Sequence, residues 1–123
     1  MNITVNDRTI ELDNEGYLLN PDDWTEEVGR QLIKLHEAAG HKKVDEAGWL
    51  LIKYVRNFYE DKLRHPSMNE LIRSREKEEG KDFKGESAFR DRLYVLFPHG
   101  PIRMLAKLAG LPKNAIAEET SAG

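Results

Sequence analysis

The chain has 123 residues, a single-domain length able to bury one modest core. Its 19 Lys and Arg against 22 Asp and Glu leave a formal charge of −3, so there is no broad positive field to hold a polyanion, and a general nucleic-acid binder is disfavoured. Cysteine is absent, which excludes disulfides, thiolate metal sites and cysteine redox chemistry.

No apolar run approaches the roughly 20 residues of a membrane span. The opening MNITVNDRTIEL lacks the apolar core of a secretory signal, and a cytoplasmic location without membrane contact is expected. Residues 2–20 read as two or three short strands: Ile3 and Val5 alternate with polar neighbours, a tight turn falls at Asn6 and Asp7, and DNEG supplies another before YLL. Such a hairpin or meander needs helices to pack on.

The first helix is expected to begin near Asp23, which would cap it while Glu26, three residues on, completes a capping box. Trp24, Val28, Leu32, Leu35 and Ala39 then form its apolar stripe, and Gly40 stops it. Asp45 caps a second helix whose inner face runs through Leu51, Tyr54 or Val55, Phe58 and the stem of Lys62. With Trp49 and Tyr59 it is the most aromatic helix and the expected centre of the core. His65 and Pro66 break it. Ser67 and Glu70 open a third helix by a second capping box, with Met68, Leu71 and Ile72 as apolar contacts and Gly80 as its end.

A polar loop from Lys81 to Glu86 leads to a fourth helix with Phe89, Leu93, Leu96 and Phe97 at spacings of three and four. Pro98 ends it and His99, Gly100 and Pro101 make a short turn. A last helix carries Ile102, Leu105 and Ala109 on one face up to Gly110, a C-cap glycine reinforced by Pro112. Arg103 and Lys107, four apart, point away from that stripe. The expected fold is α+β: a small N-terminal antiparallel hairpin or meander on a bundle of about five helices, with a mobile C-terminal arm. It forms one domain over 1–123, the arm taking 111–123.

Little in this pattern reads as a catalytic or metal site. His36, His41, His65 and His99 include no pair three or four apart, so metal ligation is not expected and no cofactor is called for. The carboxylates show no acid–base pairing, and neither Ser67 nor Ser87 sits in a nucleophile elbow. Basic residues concentrate in the second half. Asn69, Arg73 and Lys77 share one face of a helix in a short, closely spaced arrangement like a helix-turn-helix, so a DNA-associated regulator is one alternative. Glu70, Glu76, Glu78 and Glu79 dilute that field, and a solvated face is the simpler reading.

The LFPHGP turn, the short helix after it and AGLPK resemble the dissimilatory sulfite reductase gamma-subunit family, which includes the carriers DsrC and TusE. The stretches 13–29 and 48–72 are similar to that family's strand and helix segments, so the resemblance covers nearly the whole chain. It implies a protein that carries sulfur on a C-terminal arm, in a sulfur relay toward tRNA thiolation or at a siroheme sulfite reductase. Laid on this chain, the family's helix cysteine falls on Ala106 and its carrier cysteine on Ala117. A methyl group has neither the nucleophilicity nor the transferable atom that persulfide chemistry needs.

The arm departs further at Asn114, where the family pattern has proline, and in the acidic stretch 118–123. These departures favour natural divergence over a sulfurtransferase whose cysteines were exchanged for alanine, an alternative that cysteine codons in the gene would reveal. The resemblance thus implies a non-catalytic protein that binds a sulfur-relay or sulfite-reductase partner. Arg103, Lys107 and Lys113 would steer that contact and Leu111 and Pro112 would supply its apolar part.

Overall fold

The computed structural model describes residues 1–79 and 86–113. Strands β1 (Asn2–Val5) and β2 (Arg8–Glu11) form an antiparallel hairpin in the register Ile3 opposite Ile10 and Val5 opposite Arg8. Asn6 and Asp7 turn it with φ of 51° and 66°, the left-handed pair of a tight two-residue hairpin turn and a conformation that Asn and Asp tolerate best among non-glycine residues. A bridge between Leu12 and Leu18 extends the hairpin into a short meander. The Asp13 carboxylate closes the turn between them by accepting from the N–H groups of Glu15 and Tyr17 at 2.8 and 2.9 Å.

Five α-helices follow among the described residues: α1 (Glu26–Ala38), α2 (Glu46–Lys62), α3 (Met68–Glu79), α4 (Glu86–Leu96) and α5 (Pro101–Leu108). The start of α1 differs from expectation. Pro21–Asp23 form a separate 3₁₀ turn, capped by the Asn20 carboxamide. The α1 cap is Thr25, whose Oγ1 accepts from Val28 N–H at 3.2 Å, while Asp23 pairs with Arg8 at 3.4 Å. The chain is extended at Trp24, so its indole lies before the helix and is free to reach across the molecule.

The two other caps stand as read. Asp45 accepts from Gly48 N–H at 2.9 Å. Ser67 and Glu70 exchange backbone-to-side-chain bonds at 2.8 and 3.1 Å, a reciprocal capping box. The loop expected from Lys81 to Glu86 and the stop at Gly80 fall on residues 80–85, outside the described residues, except that Glu86 already opens α4.

The core joins Ile10, Leu12 and Leu18 of the meander to Val28 and Leu32 of α1, Leu51, Ile52 and Val55 of α2, Leu71 of α3, Leu93 and Phe97 of the α4 end, and Leu105 of α5. Helix α2 packs chiefly on α5. Its inner face includes Trp49, Ile52 and Arg56. Lys62 lies outside it, exposed and beside Asp61, because the helix ends there and Leu63 turns left-handed with φ of 59°. On α1 the stripe also shifts: Ile33 is buried, whereas Leu35 and Ala39 are exposed and border a cavity.

Candidate functional site at the root of the C-terminal arm

Helix α5 ends in a way that its sequence dictates. Gly110 is left-handed with φ of 71°, its N–H donates to the Lys107 carbonyl at 3.1 Å, and the Leu111 N–H donates to the Ala106 carbonyl at 3.0 Å. These two bonds make a Schellman motif, which needs a residue at ease in that conformation at position 110. The next carbonyls are taken by side chains from elsewhere. Trp24 Nε1 donates to Leu108 O at 3.0 Å, and the Arg56 guanidinium donates to both Pro21 O at 2.9 Å and Ala109 O at 3.3 Å. His65 Nε2 lies 3.0 Å from Pro112 O, which fixes the proton on that nitrogen since a carbonyl only accepts. Every carbonyl from Leu105 to Ala109, and that of Pro112, therefore has a donor.

Three elements thus grip the root of the arm: the segment before α1 through Trp24, α2 through Arg56, and the α2–α3 link through His65. Arg56 also sits 5.3 Å from the Trp24 ring centroid, and Trp24 lies 6.3 Å from Trp49 in a near-parallel stack. Arg56 itself is buried, with Glu60 as its exposed carboxylate partner at 3.1 Å.

The five residues expected to face a partner are therefore not equivalent. Arg103 is exposed. Lys107 is half-buried and lies over the Tyr17 ring, Nζ to centroid 5.6 Å, so it is laid against the meander rather than extended into solvent. Lys113 pairs with Glu15 at 2.5 Å, a bond that raises its pKa. Leu111 is fully buried, so a contact through it would require the segment to leave its seat. Pro112 is half-buried and held by His65. Ala106 is fully buried among core side chains, while Ala117 lies outside the described residues, as does everything from 114 onward.

The proposed recognition face of α3 is exposed at Asn69, Arg73 and Lys77, and Asn69 Oδ1 accepts from Arg90 of α4 at 3.3 Å. Beside Asn69, Glu70 is locked by Arg64 through two bonds of 2.9 and 3.0 Å. Those bonds, with the Ser67 donors, hold its carboxyl at about 2, well below the usual carboxylate range.

Three of the four histidines meet in space: His36 and His41, five residues apart at the end of α1, and His99 from the α4–α5 turn. His36 and His41 stack with centroids 4.3 Å apart and planes 14° apart, and His99 stands edge-on to His41 at 5.8 Å. Near-parallel rings direct their nitrogens side by side rather than toward one point. Among the described residues no group of three or more His, Cys, Asp or Glu side chains is placed to hold a metal ion. Burial and the neighbouring His41 lower the His36 pKa to about 4, and burial lowers that of His65.

Both histidines are neutral in the fold where the unfolded chain would be charged. Their stabilising effect is complete above about pH 6.5 and is lost as pH falls toward the folded value, about 4 for His36. Glu70 adds a lower window, since its stabilisation is present above about pH 4.5 and lost as pH falls toward about 2. Thermal melts followed by circular dichroism should therefore show the midpoint falling by a few degrees before carboxylates titrate. This corresponds to roughly 1 kcal/mol for His36 after discounting for solvent screening of a half-exposed ring. His36→Gln should shrink that first descent to the part due to His65 and leave the second.

Sequence reasoning missed Trp24 as a cap for α5, because the two partners are 84 residues apart, and missed Arg56 altogether. The only local sign of Arg56's role is a cation on the inward stripe of an otherwise apolar helix face.

These features define a small α+β protein with a fastened C-terminal helix and no thiol. The chain belongs to the DsrC family: the model for DsrC like protein matches residues 4–116. It is 34% identical over 113 residues to a sulfurtransferase TusE homolog of Haemophilus influenzae, covering 92% of this chain and 96% of that one. It is 36% identical over 104 residues to sulfurtransferase TusE of Photorhabdus laumondii, covering 85% and 86%. The NMR structure of Allochromatium vinosum DsrC superposes with a TM-score of 0.71 at 34% identity, over 91% of this chain and 93% of that one. The oxidized DsrC gamma-subunit of the dissimilatory sulfite reductase from Archaeoglobus fulgidus gives 0.72 at 27% identity, over 92% and 96%. This chain is thus a DsrC/TusE-like protein without cysteine, and the DNA-associated reading finds no support.

Proposed function

We propose that this chain acts by protein–protein binding in sulfur metabolism, engaging a site that recognises DsrC- or TusE-type carriers without transferring sulfur. The observation that carries this reading is the pairing of near full-length similarity to TusE with the absence of any cysteine. Persulfide transfer needs a thiolate, so what such a chain retains is shape. Arg103, exposed on α5, and Lys107 beside it are the charges proposed to orient the contact. Lys113 and Pro112 form the edge of that surface, and the arm beyond them, with Ala117 in the carrier position, would enter the partner. A cytoplasmic location belongs to this reading, because thiol relays operate where thiols stay reduced.

The test is competition. A purified sulfur-relay or sulfite-reductase component is immobilised, and its capture of a cysteine-bearing TusE-type carrier is measured with increasing amounts of this chain. Displacement is expected, weakened by at least tenfold when Arg103 and Lys107 are both changed to Gln. A chain cut after Lys113, which keeps the buried Leu111 in its seat, should displace less of the carrier than the full chain does. Intact mass after exposure to a persulfide donor should show no added sulfur for the native chain and one added sulfur atom for Ala117→Cys. Failure to displace the carrier from any such component would sink the binding reading, and sulfur uptake by the native chain would sink the non-carrier reading.

A further inference from the structure

A cavity of about 390 Å³ opens between the Asp13–Tyr17 turn, the C-terminal half of α1 and the outer face of α5. That volume lies in the range of small-molecule sites. We propose that it binds a small organic anion with an apolar body, held by its charged head between Arg103 and Lys107 and by its body against α1.

Four observations converge on this chemistry. The cavity has an apolar wall of Leu32, Leu35 and Met104, and Leu35 is left 38% exposed there although it lies on the stripe that should face the core. Its mouth carries two cations, and among the described residues neither Arg103 nor Lys107 has a carboxylate partner. The one carboxylate on the lining, Glu15, is already matched by Lys113 at 2.5 Å. The Nε2 of His36 is buried with no hydrogen-bond partner, an orphan that native structures rarely leave without a ligand or water. An inorganic anion would use the cations and waste the apolar wall. A neutral apolar molecule would use the wall and leave both cations without a counter-charge.

The experiment is a titration of the full chain at neutral pH with octanoate, followed by amide chemical shifts, with 1-octanol and sulfate as controls. Octanoate should give saturable shifts clustered on Gly16, Leu35, His36 and Lys107, at least tenfold tighter than either control. Arg103→Gln with Lys107→Gln should weaken it by tenfold or more while the thermal midpoint stays near that of the native chain, since Arg103 is exposed and Lys107 half-buried. Leu35→Asp, on the apolar wall, should weaken octanoate independently of those cations. Absence of saturable shifts, or sulfate binding as tightly as octanoate, overturns the proposal. So does an added peptide of residues 114–123 that reproduces the shifts and displaces octanoate, because the occupant would then be the chain's own acidic arm.

Discussion

Gly110→Ala should lower stability by about 2–5 kcal/mol, read as a shift of the urea midpoint at constant slope. Two costs combine. A residue with a Cβ pays roughly 1–2 kcal/mol for the left-handed conformation that the Schellman motif requires at φ of 71°. The new methyl would also stand 2.5 Å from Trp24 Cδ1 and 2.7 Å from Leu18 Cδ1, inside any real carbon contact, and relieving that overlap adds roughly 1–3 kcal/mol. Trp24 cannot move aside cheaply, because its indole N–H is the donor for Leu108 O. Gly40→Ala is the control. Gly40 has φ of 99°, but an added Cβ there meets nothing within 4 Å, so only the backbone cost applies. Equal losses in the two variants would refute the close packing of Trp24 on the end of α5.

Arg56→Met should cost about 2–4 kcal/mol. The methionine keeps most of the apolar stem packed beside Trp24, but the Ala109 carbonyl loses its donor and the Pro21 carbonyl is left with the Trp24 N–H alone, at 3.2 Å. A buried acceptor left unsatisfied costs about 1–3 kcal/mol. Glu60 is not stranded, since its carboxylate is 57% exposed and reaches water. The loss should be local as well as global: hydrogen exchange at Gly110 and Leu111 should accelerate more than at Ile52, in the middle of α2. Arg56→Lys should fall between the native chain and Arg56→Met, as one ammonium can still donate to a carbonyl but cannot also supply the Nε–H that holds Glu60 while NH1 serves both carbonyls. Uniform acceleration across the fold would mean that Arg56 stabilises α2 rather than the seat of the arm.

What was legible in the sequence was local. The Asn6–Asp7 turn, the Asp45 cap, the Ser67–Glu70 capping box and the Gly110 stop each depend on neighbours within a few residues, and each is where the pattern places it. The α1 start is ambiguous in sequence because Asp23 and Thr25 both suit a cap, and the pairing of Asp23 with Arg8 in three dimensions leaves the cap to Thr25. Leu35 and Ala39 keep a helical spacing that promises burial, yet the core stops short of them and a cavity begins. The histidine cluster is illegible for a similar reason: the five-residue spacing of His36 and His41 is not one that a helix puts on one face, and His99 joins them only when the α4–α5 turn folds onto the end of α1. The family resemblance survived these errors because it rests on the LFPHGP and AGLPK segments, whose turns and stops are local.

The grip of Trp24, Arg56 and His65 on one short stretch ties the fate of the arm's root to that of the whole bundle through linkage. A partner that recognises α5 in its seated form binds only the folded protein and must raise the melting temperature by an amount set by its concentration over its dissociation constant. One that needs Leu111 withdrawn must supply the free energy of breaking those bonds out of its own affinity, and by reciprocity every mutation that loosens the seat makes that partner bind more tightly. The sign of the correlation between stability and partner affinity, across a set of variants at the seat, therefore reports which form of the arm is recognised.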